Sequence, residues 1–345
     1  MIFSIADDFF VKIHKKEKID SFEYIIDQIE KIMKSSNNVL LVESNYVFIN
    51  RNDLLANLKD EKVKKIIINL CSMFTQYYSL IEKVNYRIIL NFTTNKKLSN
   101  KTYLKWSYIN KNNINLSDKV TFLTEDARDG KFYKQLVEKT ETVISGTNLK
   151  FHYNNGGGGS IDYSYKNCVD FNEDFVFVIV DSDKKHPKDD IGETGRKISL
   201  AYEKSVDNKC FHTHLTILEV HEKENLIMPS EYKKNINFKS KLFEKLISLE
   251  NEDQDYLLYY DLKKGIKKTE FIGDLKEYYT NLINKYPDLY INKNKLALVN
   301  FGEIVKKEFD IKELNTSSDT YIYKIRTKLC NLIYSFGISI HHHIA

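Results

Sequence analysis

Proline is scarce: Pro187, Pro229 and Pro287 are the three in 345 residues, so no proline-rich linker marks a domain boundary and boundaries must be read from changes of pattern. Cysteine is scarce too. Cys71, Cys168, Cys210 and Cys330 are widely spaced with no CxxC pair, which excludes a disulfide framework and a zinc ribbon and points to a reduced compartment. No apolar run reaches the roughly 18 residues of a membrane-spanning helix, and Asp7 and Asp8 interrupt the apolar stretch that a secretory leader would keep. The expectation is a cytoplasmic protein with no membrane partner. Charge of one sign is also lacking: 52 Lys and Arg against 48 Asp and Glu leave a net +4, too little to establish a nucleic-acid partner by itself. Finally, no GK[ST] follows a glycine-rich loop, so the chain has no nucleotide-hydrolysis motif of its own.

What is present is a pattern that changes twice. Residues 1–115 mix helical stretches such as FEYIIDQIEKIMK with strand-like NVLLVES and YRIILNF, an α/β or mainly helical flank. Residues 116–232 alternate short apolar runs with helical segments, as a parallel βα core does. Its strands are expected at VTFLT, NLKFHY, FVFVIV and HLTILEV. Residues 233–345 return to amphipathic helical stretches, and no internal repeat is visible.

Three acidic clusters close apolar runs of the middle segment. VTFLT leads into Glu125, Asp126 and Asp129; FVFVIV into Asp181 and Asp183; LTILEV into Glu222 and Glu224, with Glu219 on the run itself. An open parallel sheet carries its site at the carboxyl ends of its strands. Carboxylates converging there repel one another unless a cation sits among them, and hard oxygen donors favour Mg2+ or Mn2+. The bland alternative for Asp126 and Asp129 is helix capping, and for Asp181 and Asp183 a solvated loop.

Other features carry less chemistry. Gly156–Gly159 holds four of the 12 glycines and lets backbone approach a phosphate closely. The run LLYYDLKKGIKK offers Lys263, Lys264, Lys267 and Lys268, of which Lys264 is the candidate to neutralise a phosphate in the transition state. His212, His214 and His221 have no accompanying cysteine or second histidine pair for zinc, and the terminal triplet His341–His343 reads as incidental.

Glu125-x-x-x-Asp129 after the first strand of the segment, and Asp181-x-Asp183 after a later one, resemble the TOPRIM domain of topoisomerases, primases, recombination proteins and OLD-family nucleases. The chain departs from that pattern where Asp126 replaces the glycine that often follows the glutamate. The resemblance implies a TOPRIM-like parallel βα core over 116–232 and magnesium chemistry on a phosphodiester. It implies metal ligation by Glu125, Asp129, Asp181, Asp183, Glu222 and Glu224, with Glu125, Asp181, Asp183 and Lys264 in catalytic roles. A strand-passing or priming machine would need more than this chain shows, so the expected activity is an Mg2+- or Mn2+-dependent endonuclease on DNA or RNA. Similar nucleases of bacterial defence systems imply an anti-phage effector controlled by a partner ATPase or by another copy of the chain. The alternatives are nucleotidyl transfer at the same acidic site and a non-catalytic interaction module.

Overall fold

The strands are short apolar runs that a parallel sheet buries when both of its faces are covered. The computed structural model describes residues 1–140, 142–171, 174–236, 241–290, 296–298, 301, 311, 313–315 and 320–340; the His341–His343 triplet lies outside the described residues. The protein is α/β. One sheet consists of β1 (Ile2–Ile5), β2 (Val39–Val42), β3 (Arg87–Asn91), β4 (Lys96–Lys97) and β5 (Lys101–Lys105), in the order β2-β1-β3-β5-β4 and parallel except for β4. After it come β6 (Thr121–Thr124), β7 (Thr147–Leu149), β8 (His152–Asn155), β9 (Val176–Val180) and β10 (Thr213–Ile217). Of these, β6, β8, β9 and β10 form a second, all-parallel sheet in the order β10-β9-β6-β8.

Counting only parallel strands, both sheets run second, first, third, fourth across their width, a shared topology that the sequence does not announce as a repeat. Each order places a switch point between its first and third strands, where connections leave in opposite directions and open a crevice at the carboxyl edge. The same bond spans both crevices. At the first, Oδ2 of Asp8 accepts the N–H of Phe92 at 2.8 Å; at the second, Oε1 of Glu125 accepts the N–H of Asp181 at 3.0 Å.

The expected single strand NLKFHY is two. β7 leaves the core sheet and pairs antiparallel with β13 (Ile338–Ile340), while β8 pairs with β6. The break is set by a contact from far along the chain: the N–H of Lys150 donates to the carbonyl of Gly337 at 2.8 Å. A Cβ on Gly337 would stand 2.3 Å from the ring of Phe151, so only glycine admits this approach. Among the described residues after 232 helices predominate, with small additions: β11 (Ile266–Lys267) pairs with β12 (Leu296–Leu298).

The helix Tyr321–Gly337 packs on the helix Ala127–Lys139 and on the turn after β10. It carries Arg326, fully buried, whose guanidinium forms a two-pronged pair with Glu231 at 2.7 and 3.0 Å and also donates to the carbonyls of Leu226 and Asn315. Glu231 in turn accepts the N–H of Met228 at 2.8 Å. Such a pair is near neutral when made and costly when half removed, because the surviving charge has no water to fall back on. Arg326→Met is therefore expected to lose about 3–5 kcal/mol of folding stability, measured by urea denaturation. Adding Glu231→Gln removes the stranded charge but trades one of the two oxygens that accept the N–H groups of Met228 and Asn315 for a donor, so it should recover only part of that loss.

Candidate acidic site at the switch point of the core sheet

β6 delivers Glu125. Directly beyond it, the glycine run closes against the strand end: the N–H groups of Gly156 and Gly158 donate to the carbonyls of Thr124 and Glu125 at 2.7 and 2.9 Å, and that of Gly157 to Oδ1 of Asn155 at 2.9 Å. A Cβ on Gly156 would lie 2.7 Å from the Thr124 oxygen. Gly156 is needed for this close packing, Gly157 and Gly158 take left-handed φ of 72° and 61°, and these three amides are spent on the protein rather than offered to a phosphate.

β9 delivers Asp181-Ser182-Asp183. Oδ1 of Asp181 accepts the N–H of Lys223 at 3.0 Å, while Oγ of Ser182 donates to the carbonyl of Val220 at 2.6 Å. Asp183 takes a left-handed φ of 56° and donates its N–H to the carbonyl of His221 at 2.9 Å. Gly192 is the floor on which that strained aspartate rests, since a Cβ there would stand 2.4 Å from its Oδ2. The loop between Asp183 and Gly192 is thus fixed at both ends, the second by the N–H of Gly192 on the Ser182 carbonyl at 2.9 Å.

Glu222 and Glu224 follow β10 at a 3-10 turn over Lys223–Leu226. Asn225 holds that turn to the C-terminal region, donating to the carbonyls of Leu257 and Tyr260 at 2.7 and 2.9 Å. The same contact brings Lys263 over the carboxylates, 3.1 Å from Glu222 and 2.9 Å from Glu224. Lys223 pairs with Asp129 and lies 3.9 Å from Glu224. Glu222 and Glu224 are buried, Glu125 and Asp181 half-buried.

These surroundings decide the charges. Desolvation, then the charges of Glu125, Glu224 and Glu222, push Asp181 well above the usual carboxylate range, with Lys263 opposing. Desolvation also raises Glu125, aided by Asp183, Asp129 and Glu222 against the bond from Asp181. Glu224 is raised by burial despite Lys263 and Lys223. Beneath the cluster, burial and the neighbouring Asp181, Asp129, Glu125 and Glu224 hold the Tyr133 phenol firmly protonated.

Glu125, Asp181, Asp183, Glu222 and Glu224 are thus brought into one electrostatically coupled group. Asp129 joins its edge, but its Oδ2 accepts the N–H of Asp126 at 3.1 Å in a reciprocal cap of the helix Ala127–Lys139, and its Oδ1 takes Lys223. Glu219 lies outside, on the surface, paired with Lys328 at 2.5 Å. The expectation gave Lys264 a catalytic role. Its exposed residue meets the site through its backbone N–H, 2.7 Å from Oδ1 of Asp261, and Lys263 is the lysine that enters the cluster. His212 and His214 pack among aromatic rings as neutral imidazoles, burial holding them down to about 4 and about 3.

Sequence reasoning noted Lys263 and His221 but gave them no role, and missed Lys223, Asp261, Tyr133 and Gly192. Tyr133 alone left a local signal, four residues after Asp129 on one helical face. No protein-family model, curated protein or solved structure matches the chain.

The raised carboxylates have a consequence for stability. Unfolded, Asp181 ionises near the ordinary value of about 3.9; folded, it holds its proton to higher pH, so stability falls as pH rises from there through the folded value. Asp181→Asn removes this loss. In chelator, thermal melts from pH 5 to pH 8 should show the wild type losing stability relative to Asp181→Asn. Added Mg2+ should restore the wild type and leave the variant unmoved.

Proposed function

We propose that this protein is a TOPRIM-type nuclease that cleaves DNA or RNA phosphodiesters with Mg2+ or Mn2+. The observation that carries the reading is the Glu125–Asp181 bond across the switch point, with Asp183, Glu222 and Glu224 gathered around it. Five carboxylates without a thiolate among them are a donor set for a hard divalent ion. The resemblance of Glu125-x-x-x-Asp129 and Asp181-x-Asp183 to TOPRIM points the same way.

In this reading Asp181, Asp183, Glu222 and Glu224 hold the ion, which supplies Lewis acidity toward a phosphate and its attacking water. Glu125 has one oxygen on the N–H of Asp181 and keeps Oε2 for a cation or for a proton. Lys263, held on Glu222 and Glu224, is the cation that would meet negative charge developing on a phosphate. Two loops frame the cluster and are joined by the Lys185–Glu270 pair at 2.7 Å. They carry Lys184, Lys185, Lys188, Lys263, Lys264, Lys267 and Lys268, a local basic rim suited to a polyanion despite the small net charge. Restraint of such an activity inside a cell falls to a partner, a separate ATPase or a second copy of the chain, and an anti-phage effector is the role that fits. One observation favours a different reading: Lys223 and Lys263 already neutralise part of the cluster from within, as an interaction module with no metal would require.

Purified protein incubated with plasmid, single-stranded DNA and total RNA should generate new ends with Mg2+ or Mn2+ and none with chelator. Asp181→Asn and Asp183→Asn should each reduce cleavage by at least about a thousandfold with the fold retained. Lys263→Met should cost about a hundredfold, and Lys264→Met less than about threefold. Cleavage that survives both aspartate substitutions would refute the assignment, and failure to bind any divalent ion would favour the interaction module.

A further inference from the structure

His221 stands at the edge of the acidic cluster and is almost wholly buried, as are Glu222 and Asp261. Its Nδ1 lies 2.9 Å from the carbonyl oxygen of Lys184. A carbonyl only accepts, so Nδ1 carries the hydrogen; Asp261, Glu222 and Asp183 raise the ring against its desolvation, so a cation that binds Nε2 displaces a proton there. That nitrogen faces Oδ2 of Asp261 at 3.7 Å, wider than the roughly 2.7–2.9 Å of a charge-assisted hydrogen bond. The separation instead suits two donors sharing one ion, each about 2.0–2.3 Å from it. A carboxylate oxygen of Glu222 completes the set: all three donor atoms lie within 4.8 Å of one another.

The supporting contacts are those of a held ligand set. The Lys184 carbonyl fixes the ring's tautomer and orientation, as outer-sphere acceptors do for metal-bound histidines. Asp261 is anchored by its other oxygen, Oδ1, on the N–H of Lys264 at 2.7 Å. The backbone carbonyl of His221 takes the N–H of Asp183, and its N–H donates to the carbonyl of Leu258 at 2.7 Å, so the residue is clamped between the core sheet and the C-terminal region.

We propose that His221, Glu222 and Asp261 form a second divalent-metal site, adjacent to the carboxylate cluster and sharing Glu222 with it. One imidazole with two carboxylates selects Mn2+, Fe2+ or Zn2+ over Mg2+, which seldom takes nitrogen. The site rests on the proposed metal binding at the carboxylate cluster only through Glu222, and its test reads ligation rather than cleavage.

The probe is Mn2+ alone, bound to the full chain and examined by pulsed electron paramagnetic resonance and by equilibrium dialysis. The wild type is expected to show an imidazole nitrogen-14 coupling to Mn2+, absent in His221→Gln and retained in Asp181→Asn. Asp261→Asn, nearly isosteric, should weaken this one site at least about tenfold, and His221→Gln should lower the bound stoichiometry by one ion. A Mn2+-loaded wild type without nitrogen coupling overturns the proposal without recourse to any variant. So does a coupling that persists in folded His221→Gln, which would place the ion at another histidine. A nuclease assay that fails while the nitrogen coupling is present would sink the proposed activity and leave this site standing.

Discussion

Carboxylates at the ends of neighbouring parallel strands cannot all remain ionised in a half-buried crevice unless positive charge comes to meet them. The core sheet brings Glu125 and Asp181 together through the N–H of one and the carboxylate of the other, and the turn after β10 adds Glu222 and Glu224. Nothing within the four strands compensates this charge. Compensation arrives from Lys223 on the turn itself, which Asp129 of the helix Ala127–Lys139 holds in place, and from the C-terminal region, which lowers Lys263 onto Glu222 and Glu224. The electrostatics of one crevice therefore require parts of the chain more than a hundred residues apart to be in place together.

That requirement explains the weight given to buried polar contacts around the turn Lys223–Leu226. Asn225 fixes it to the carbonyls of Leu257 and Tyr260, and Arg326 fixes the Leu226 carbonyl and Glu231 to the last long helix. Each contact is worth little net if both partners are replaced by apolar groups, and much if one partner is removed. They act as registration: they decide where the turn sits, and the turn decides whether Glu222, Glu224 and Lys263 meet.

Much of this was legible in the sequence, and for a definite reason. Glu125, Asp181 and Asp183 follow runs so apolar that a strand, and hence a sheet edge, is the natural reading, and strand ends are where an α/β sheet gathers chemistry. Asp126 and Asp129 kept their alternative reading as caps, and the structure gives them that geometry while leaving Asp129 at the edge of the cluster. The illegible parts depend on contacts without local periodicity. Whether Lys263 or Lys264 enters the cluster is set by a backbone bond from Lys264 to Asp261, and the splitting of NLKFHY by a pairing with residues 338–340. Gly192 looks like any loop glycine until Asp183 is seen resting on it.

The two sheets share one topology but not one chemistry, and the difference locates the site. At the first switch point Asp8 makes the same backbone bond as Glu125, yet the residue directly after β3 is Phe92 rather than a second carboxylate. Asp7 there is engaged by the hydroxyl of Ser44 at 2.8 Å, and Glu43 by Arg87 at 3.1 Å. A carboxylate bonded across the crevice is thus a property of this topology, satisfying an amide at the edge of the sheet. What distinguishes the second crevice is that its amide belongs to Asp181, so the bond that closes the fold also forces two acids together, and the rest of the chain is arranged around that repulsion.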